Sequence, residues 1–163
     1  MMWTVSLILC ALSLGGLLEK TGMLEALSSA LLRFAKGSFG LVLATIVSCI
    51  GVNLATGDQY LSIVLPGRMY KNEFRKRGYH PKNLSRALED SGTLTSPLIP
   101  WNTCGAYMWV TLGIHPFAYL PFAFLNLINP IISLIYAATG ITIEKLPPEE
   151  MGKVKEEIEK GIL

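Results

Sequence analysis

Apolar residues fall into long runs that short polar or charged segments separate. Residues 2–18, 88–114 and 117–139 are each long enough to predict a membrane-spanning helix. Residues 38–67 form a further apolar stretch, which the polar segment 53–59 divides into two arms. Irregular polar backbone is tolerated at membrane depth only where it is buried in protein or lines a cavity. The pattern therefore predicts an all-α polytopic membrane protein with interrupted elements.

Prolines predict where these elements are interrupted. Pro97 and Pro100 lie three residues apart, and each removes a helical hydrogen bond, so an unwound stretch over residues 96–103 is expected rather than a kink. In the 38–67 region, Pro66 is expected to end the second arm. The two arms would then reach only ~21 Å and ~9 Å, which fits a re-entrant helical hairpin better than a crossing.

Basic residues predict the topology. Residues 68–86 carry seven Lys or Arg and one Glu, which predicts a solvated loop, and residues 20–36 carry Lys20, Arg33 and Lys36. Basic loops remain on the cytoplasmic face of a membrane. A hairpin at 38–67 places both segments on that face, with the N-terminus outside and the C-terminus inside.

The remaining segments complete the predicted organisation. Residues 23–36 have apolar positions at helical spacing and predict an amphipathic helix at the membrane interface. Residues 146–163 predict a charged cytoplasmic tail helix. A secretory signal is the alternative for residues 2–18, but that segment lacks a positively charged start and a small-residue cleavage site.

Composition supports a membrane protein and argues against several other classes. Hydrophobic residues make up 51% of the chain and charged residues 16%, against about 25% in typical soluble domains. A net charge of +2 does not indicate nucleic-acid binding. The three cysteines lie in apolar runs, and neither a metal-ligand cluster, a phosphate-binding loop nor a nucleophile motif is present. We therefore expect neither an enzyme nor an ATP-driven pump, and no cofactor.

Asp58 is the first functional candidate, because it is the only charged residue between Gly37 and Pro66. An intramembrane carboxylate usually faces a cavity and has a partner. The alternative is that Asp58 caps the second helix of the hairpin. Glu89 and Asp90 are rival carboxylates, but their position beside the basic loop favours a capping role at a helix N-terminus.

Neutral oxygen-bearing side chains accompany Asp58 in both interruptions. Alkali cations bind carboxylate, hydroxyl, amide and unwound carbonyl oxygens. Candidate ligands for Na⁺ and H⁺ are therefore Asp58, Asn53, Thr56, Gln59, Thr93, Ser96, Asn102 and Thr103, with Thr95 nearby. For Asn102 and Thr103 the alternative is hydrogen bonding between helices. If Asp58 binds either a proton or Na⁺ but not both, exchange of the two ions needs no separate coupling device.

Two long runs resemble a known family. Residues 53–69 (NLATGDQYLSIVLPGRM) and 83–107 (NLSRALEDSGTLTSPLIPWNTCGAY) are similar to the C-terminal part of the NhaC-type Na⁺/H⁺ antiporters, within a match over residues 7–145. The resemblance implies a transporter of the bacterial inner membrane that exchanges Na⁺ for H⁺. It also implies two inverted repeats, each with a hairpin and a broken helix. Residues 56–59 would be the hairpin tip and residues 96–103 the helix break.

Length is the main departure from that family. Its members are more than twice as long, so this chain is expected to represent one repeat: a truncated reading frame, one product of a split gene, or a fragment. It would then need a missing N-terminal half or a homo-oligomeric partner within the lipid bilayer. Two alternatives stay open, namely an antiporter that couples Na⁺ or H⁺ to malate or lactate, and a non-transporting membrane subunit.

Overall fold

The computed structural model describes residues 2–23, 26, 30–32, 35 and 37–159, and most of these residues are helical. No strand occurs among them, apart from an isolated bridge between Tyr79 and Lys145. The all-α prediction is therefore confirmed. The helices are α1 (Met2–Lys20), α2 (Gly37–Thr56), α3 (Gln59–Lys76), α4 (Pro81–Leu88), α5 (Thr103–Leu112), α6 (Pro116–Tyr119), α7 (Phe124–Thr139) and α8 (Pro148–Glu159).

Helices α2 and α3 form an antiparallel hairpin that only Gly57 and Asp58 connect. Gly57 has a φ of +64°, a left-handed conformation that glycine adopts without strain. At the other end of the hairpin, Arg77 donates a hydrogen bond of 2.8 Å to the Ala35 carbonyl and pairs with Glu73 at 2.6 Å. The start of α2 and the end of α3 therefore lie together, as the predicted hairpin requires.

The second arm of the hairpin is longer than predicted. Pro66 was expected to end it, but α3 continues through this proline to Lys76. The predicted unequal arms are therefore wrong, and residues 68–76 of the predicted solvated loop are helical. Packing explains the difference, because Tyr70 and Phe74 are buried beyond Pro66. The Tyr70 hydroxyl also lies 2.7 Å from the Ser48 hydroxyl of α2. These contacts outweigh the one helical hydrogen bond that a proline removes.

The predicted helix break is confirmed, although the broken helix begins earlier than expected. Its first part is α4, which continues through a π-helical turn, Glu89–Thr93, and a 3₁₀ turn, Ser96–Leu98. Residues 99–102 are not helical, and α5 follows. His80 caps the N-terminus of α4 through its ring nitrogen, so the helical run begins well before Glu89 and Asp90. Both carboxylates therefore lie inside this run. The predicted capping role of these two carboxylates is therefore wrong.

The segment predicted as a single helix over 117–139 is bent. Helix α6 and the 3₁₀ turn Leu120–Phe122 meet α7 at an angle of 58°, with Ala123 between them. The bend follows Pro121, whose ring lacks an N–H group for a continuous helical ladder. Within the described part of the chain, α2 is long and apolar enough to cross a membrane, and the bent pair is a second candidate if it forms one span.

Helix α1 covers the predicted segment 2–18. Most residues of the predicted interfacial helix over 23–36 lie outside the described part of the chain. Within this segment, the described residues 23, 26 and 30–32 are helical. The core lies between α2, α3, α4 and α7 and includes buried Leu41, Phe74, Leu84 and Ala137. This core holds the hairpin against the broken helix.

The tail docks on the connection between α3 and α4. The Glu144 carbonyl accepts hydrogen bonds from the His80 amide at 2.9 Å and from the Asn83 side chain at 2.6 Å. Two residues later, the Leu146 amide donates to the Gly78 carbonyl at 2.9 Å. Helix α8 follows, with Val154 buried. The segment predicted as a charged tail helix is thus fixed to the end of the hairpin that carries Arg77.

Candidate functional site at the hairpin tip and the helix break

The hairpin tip (residues 53–59) and the helix break (residues 96–103) are in direct contact. The Thr103 amide donates a hydrogen bond of 2.9 Å to the Gly57 carbonyl. The Trp101 indole N–H donates another, also 2.9 Å, to the Leu54 carbonyl. Two interruptions that are far apart in the sequence therefore form one site.

The side chain of Asn53 is the centre of this contact and is fully buried. Its Nδ2 donates to the Gly92 carbonyl at 2.7 Å and to the Thr95 hydroxyl at 3.1 Å. Its Oδ1 accepts from the Ser96 hydroxyl at 3.2 Å and from Asn102 Nδ2 at 3.0 Å. Because both its donor and its acceptor groups are used, this carboxamide fixes the separation between the tip and the break.

Asn102 and Thr56 are also fully buried, and each stabilises its own interruption. Asn102 Oδ1 accepts a 3.0 Å hydrogen bond from the Cys104 amide, so Asn102 caps α5. The Thr56 hydroxyl donates to the Val52 carbonyl at 2.8 Å and accepts from the Asp58 amide at 3.3 Å. Four of the predicted ligands therefore form a buried polar frame: Asn53, Thr56, Ser96 and Asn102.

The other four predicted ligands line two adjoining open recesses. One recess has a volume of about 360 Å³, and its lining includes Asp58, Gln59, Thr103 and Cys104. The second, of about 400 Å³, shares Gln59, Thr103 and Cys104 and adds Thr93. Carboxylate, amide and hydroxyl oxygens are the ligands that hard cations prefer. We call Asp58, Gln59, Thr93 and Thr103 the recess residues.

Asp58 has the capping role that was the alternative to ion binding. Its Oδ1 accepts a hydrogen bond of 2.6 Å from the Tyr60 amide at the N-terminus of α3. The side chain is only partly buried and lines the recess. An ionised carboxylate can accept several hydrogen bonds or bind a cation through its remaining lone pairs. Capping and cation binding are therefore compatible at this residue.

Gly105 permits the close packing of the break, and sequence reasoning missed it. A Cβ atom at this position would lie 1.9 Å from the Ile99 carbonyl oxygen and 3.3 Å from the Pro97 carbonyl oxygen. The unwound backbone therefore folds directly against the first turn of α5, where only glycine fits. The available signal was a glycine near the start of a helix, five residues after the second of two prolines.

Helix α7 also contributes polar contacts that sequence reasoning missed. Asn126 Nδ2 donates to the Leu94 carbonyl at 2.7 Å, and Asn129 Nδ2 donates to Asp90 Oδ1 at 2.6 Å. Asn126 and Asn129 are spaced by three positions, so they lie on one face of α7. The signal was this spacing of two carboxamides in a mainly apolar helix.

The histidines have local structural roles. The His80 ring accepts from the Lys82 amide, and the His115 ring accepts from the Phe117 amide, so each caps a helix. Among the residues that the structure describes, no group of three or more His, Cys, Asp or Glu could hold a metal ion.

A hairpin tip held against a broken helix beside an oxygen-lined recess is typical of helical membrane transporters with discontinuous helices. Comparison with known proteins agrees with this class. The model of the Na⁺/H⁺ antiporter family matches residues 1–141, and the chain belongs to that family. No solved structure matches the chain.

Three curated relatives illustrate the similarity. The chain is 49% identical to the Na⁺/H⁺ antiporter NhaC of Bacillus subtilis over 83% of its own length and 30% of the relative's length. It is 44% identical to NhaC of Alkalihalophilus pseudofirmus, over 89% of the chain and 31% of the relative. A more distant relative is the malate-2H⁺/Na⁺-lactate antiporter of B. subtilis, 31% identical over 86% of the chain and 30% of the relative. The matched part of the chain thus covers less than a third of each of these proteins.

Proposed function

We propose that this chain is part of a secondary transporter that exchanges Na⁺ for H⁺ across the bacterial inner membrane. One observation carries the proposal. In a member of an antiporter family, the tip and the break meet so that the Asp58 carboxylate lines an open recess with Thr103 and Gln59. The segments that the longer relatives have in addition would supply the rest of the transporter, including an inverted copy of this hairpin and broken helix.

Competition at one carboxylate would couple the two ions. Na⁺ would bind the Asp58 carboxylate together with the amide oxygen of Gln59 and the hydroxyl groups of Thr103 and Thr93. A proton on Asp58 removes the negative charge that attracts Na⁺, so the site holds one ion or the other. The buried polar frame would keep these oxygens at a fixed spacing without contacting the ion.

Asp58→Asn tests the charge separately from the helix cap. Asparagine is about as good an N-cap as aspartate, so α3 should still begin at Gln59. The variant lacks the negative charge, and we expect it to lose Na⁺-dependent proton movement in everted vesicles that contain the transporter. Glu149→Gln is the matched control. Because Glu149 is exposed on the tail, this variant should retain activity. Wild-type exchange by the Asp58→Asn variant would remove Asp58 from the mechanism.

A small carboxylate is a second candidate substrate. The N-termini of α3 and α5, which Asp58 and Asn102 cap, both lie at the tip and the break, and helix N-termini attract anions. The name of the malate-2H⁺/Na⁺-lactate relative agrees with such a substrate. Proton movement driven by Na⁺ alone supports the first proposal, whereas a requirement for added malate or lactate supports the second. A non-transporting subunit would give neither.

A further inference from the structure

The π-helical turn Glu89–Thr93 lies between two sets of polar contacts. On one side, Asn53 of the hairpin tip donates to the Gly92 carbonyl at 2.7 Å. On the other side, Asn129 of α7 donates to the Asp90 carboxylate at 2.6 Å. Asn126 of α7 binds the Leu94 carbonyl immediately after the turn, at 2.7 Å. The turn is therefore held from both the hairpin and α7.

The contact with Asp90 is the strongest of these by its chemistry. A hydrogen bond from an amide N–H to an ionised carboxylate is about twice as strong as one between neutral groups. Single π-helical turns inside α-helices are rare and are frequently found at functional sites. Asp90 lies three residues before Thr93, which is one of the recess residues. A shift of the turn would therefore move part of the recess lining.

We propose that Asp90 and Asn129 are positioning residues, and that their hydrogen bond holds the π-helical turn so that the recess has the geometry that binds Na⁺. This inference rests on the proposed function, since it assigns a role in ion binding at the same recess. Neither residue contacts the ion. The pair acts through the turn, whose Gly92 carbonyl the Asn53 carboxamide also binds.

Cys104 provides a native reporter of recess occupancy that does not depend on transport. It is partly buried and lines both recesses, whereas Cys10 is exposed and Cys49 lies in the core. In a Cys10→Ser and Cys49→Ala background, Cys104 is the single thiol. Na⁺ bound in the recess should slow alkylation of Cys104 by N-ethylmaleimide in membranes. The Na⁺ concentration that gives half of this protection measures the apparent affinity.

Exchanging the two side chains tests the pair. Asn129→Asp places two carboxylates in contact, and we expect the half-protecting Na⁺ concentration to rise at least ~10-fold. Asp90→Asn keeps a neutral hydrogen bond and should raise that concentration only ~2- to 3-fold. The double variant Asp90→Asn/Asn129→Asp restores a carboxylate bonded to an amide, and the value should return to within ~2-fold of wild type. The double variant Asp90→Asn/Asn126→Asp is the control, and its half-protecting Na⁺ concentration should not return to the wild-type value.

Each outcome supports or overturns a specific claim. If Na⁺ protects wild-type Cys104 but Asn129→Asp leaves the half-protecting concentration unchanged, or the double variant fails to restore it, the positioning role is overturned. If Na⁺ does not protect wild-type Cys104 at all, ion binding in the recess and the proposed function fail first. If the Asn129→Asp variant does not insert into the membrane, two variants of Asp90 provide the test. Asp90→Ala loses the hydrogen bond and must raise the half-protecting Na⁺ concentration more than Asp90→Asn does. Equal values for those two variants would overturn the inference.

Discussion

Removing the Asn53 carboxamide should loosen the contact between the hairpin tip and the helix break. Asn53→Ala deletes the four hydrogen bonds that this side chain makes with Gly92, Thr95, Ser96 and Asn102. Side-chain hydrogen bonds in helical membrane proteins contribute ~0.6–1.7 kcal/mol each, so the loss of all four amounts to about 2–7 kcal/mol. The single Ser96 hydroxyl proton is shared between Asn53 Oδ1 and the Gly92 carbonyl, which lies closer, so the Asn53–Ser96 bond is weak and the lower half of that range is favoured.

Unfolding in detergent measures this loss. We expect Asn53→Ala to lower the free energy of unfolding by about 3 kcal/mol and to accelerate alkylation of Cys104, because the break then separates from the tip. Leu54→Ala is the matched control, since the Leu54 side chain is exposed and its carbonyl still accepts from Trp101. A loss below ~1 kcal/mol, or one equal to that of the control, would show that Asn53 does not hold the two interruptions together.

Three further predictions concern the break, the recess and the topology. Gly105→Ala should sharply reduce the yield of monodisperse protein in size-exclusion chromatography, because a Cβ would lie 1.9 Å from a carbonyl oxygen. Gly152→Ala is the control and should not reduce this yield, because a Cβ at Gly152 would lie in open space. Thr103→Ala should raise the Na⁺ concentration for half-maximal exchange without lowering the melting temperature. If the Thr103 side chain serves only in packing, the melting temperature should fall and the Na⁺ concentration should not change. Single cysteines at Lys20 and Lys82 should both react with an impermeant thiol reagent only after lysis, and reaction of the Lys20 position alone in intact cells would contradict the hairpin topology.

The sequence predicted the positions of both interruptions because their causes are local. Gly57 and Asp58 provide a left-handed turn and a helix cap, and Pro97 and Pro100 remove helical hydrogen bonds. These effects depend on a residue and its immediate neighbours, so a single sequence displays them.

The limits of the helices could not be predicted because tertiary packing decides them. Pro66 carries a local signal for the end of a helix, but burial of Tyr70 and Phe74 against α2 continues α3 beyond it. The bend at Ala123 has a different origin: Pro121 is a local signal for it, but the segment was predicted from hydropathy, which measures the length of an apolar segment and not its direction. Span limits and the inverted repeat stay predictions.

The candidate site was only half visible in the sequence. Polar residues in the interruptions identified the two segments that meet in the structure, but the sequence did not separate the buried polar frame from the recess residues. Asn53 and Gln59 offer the same chemical group, yet Asn53 faces the break and Gln59 faces the recess. That difference depends on how the hairpin packs. Asn129 was missed because its partner, Asp90, lies on another helix.

If the chain is part of a transporter as proposed, the joined tip and break have a consequence for the mechanics of the transport cycle. Pulling them apart would break the Asn53 contacts and the bonds from Trp101 and Thr103 at once, leaving buried polar groups without partners. A motion that keeps the hairpin and the broken helix together as one rigid body would avoid that cost. Access to the recess would then alternate by displacement of that whole body relative to its surroundings, with the recess carried along intact.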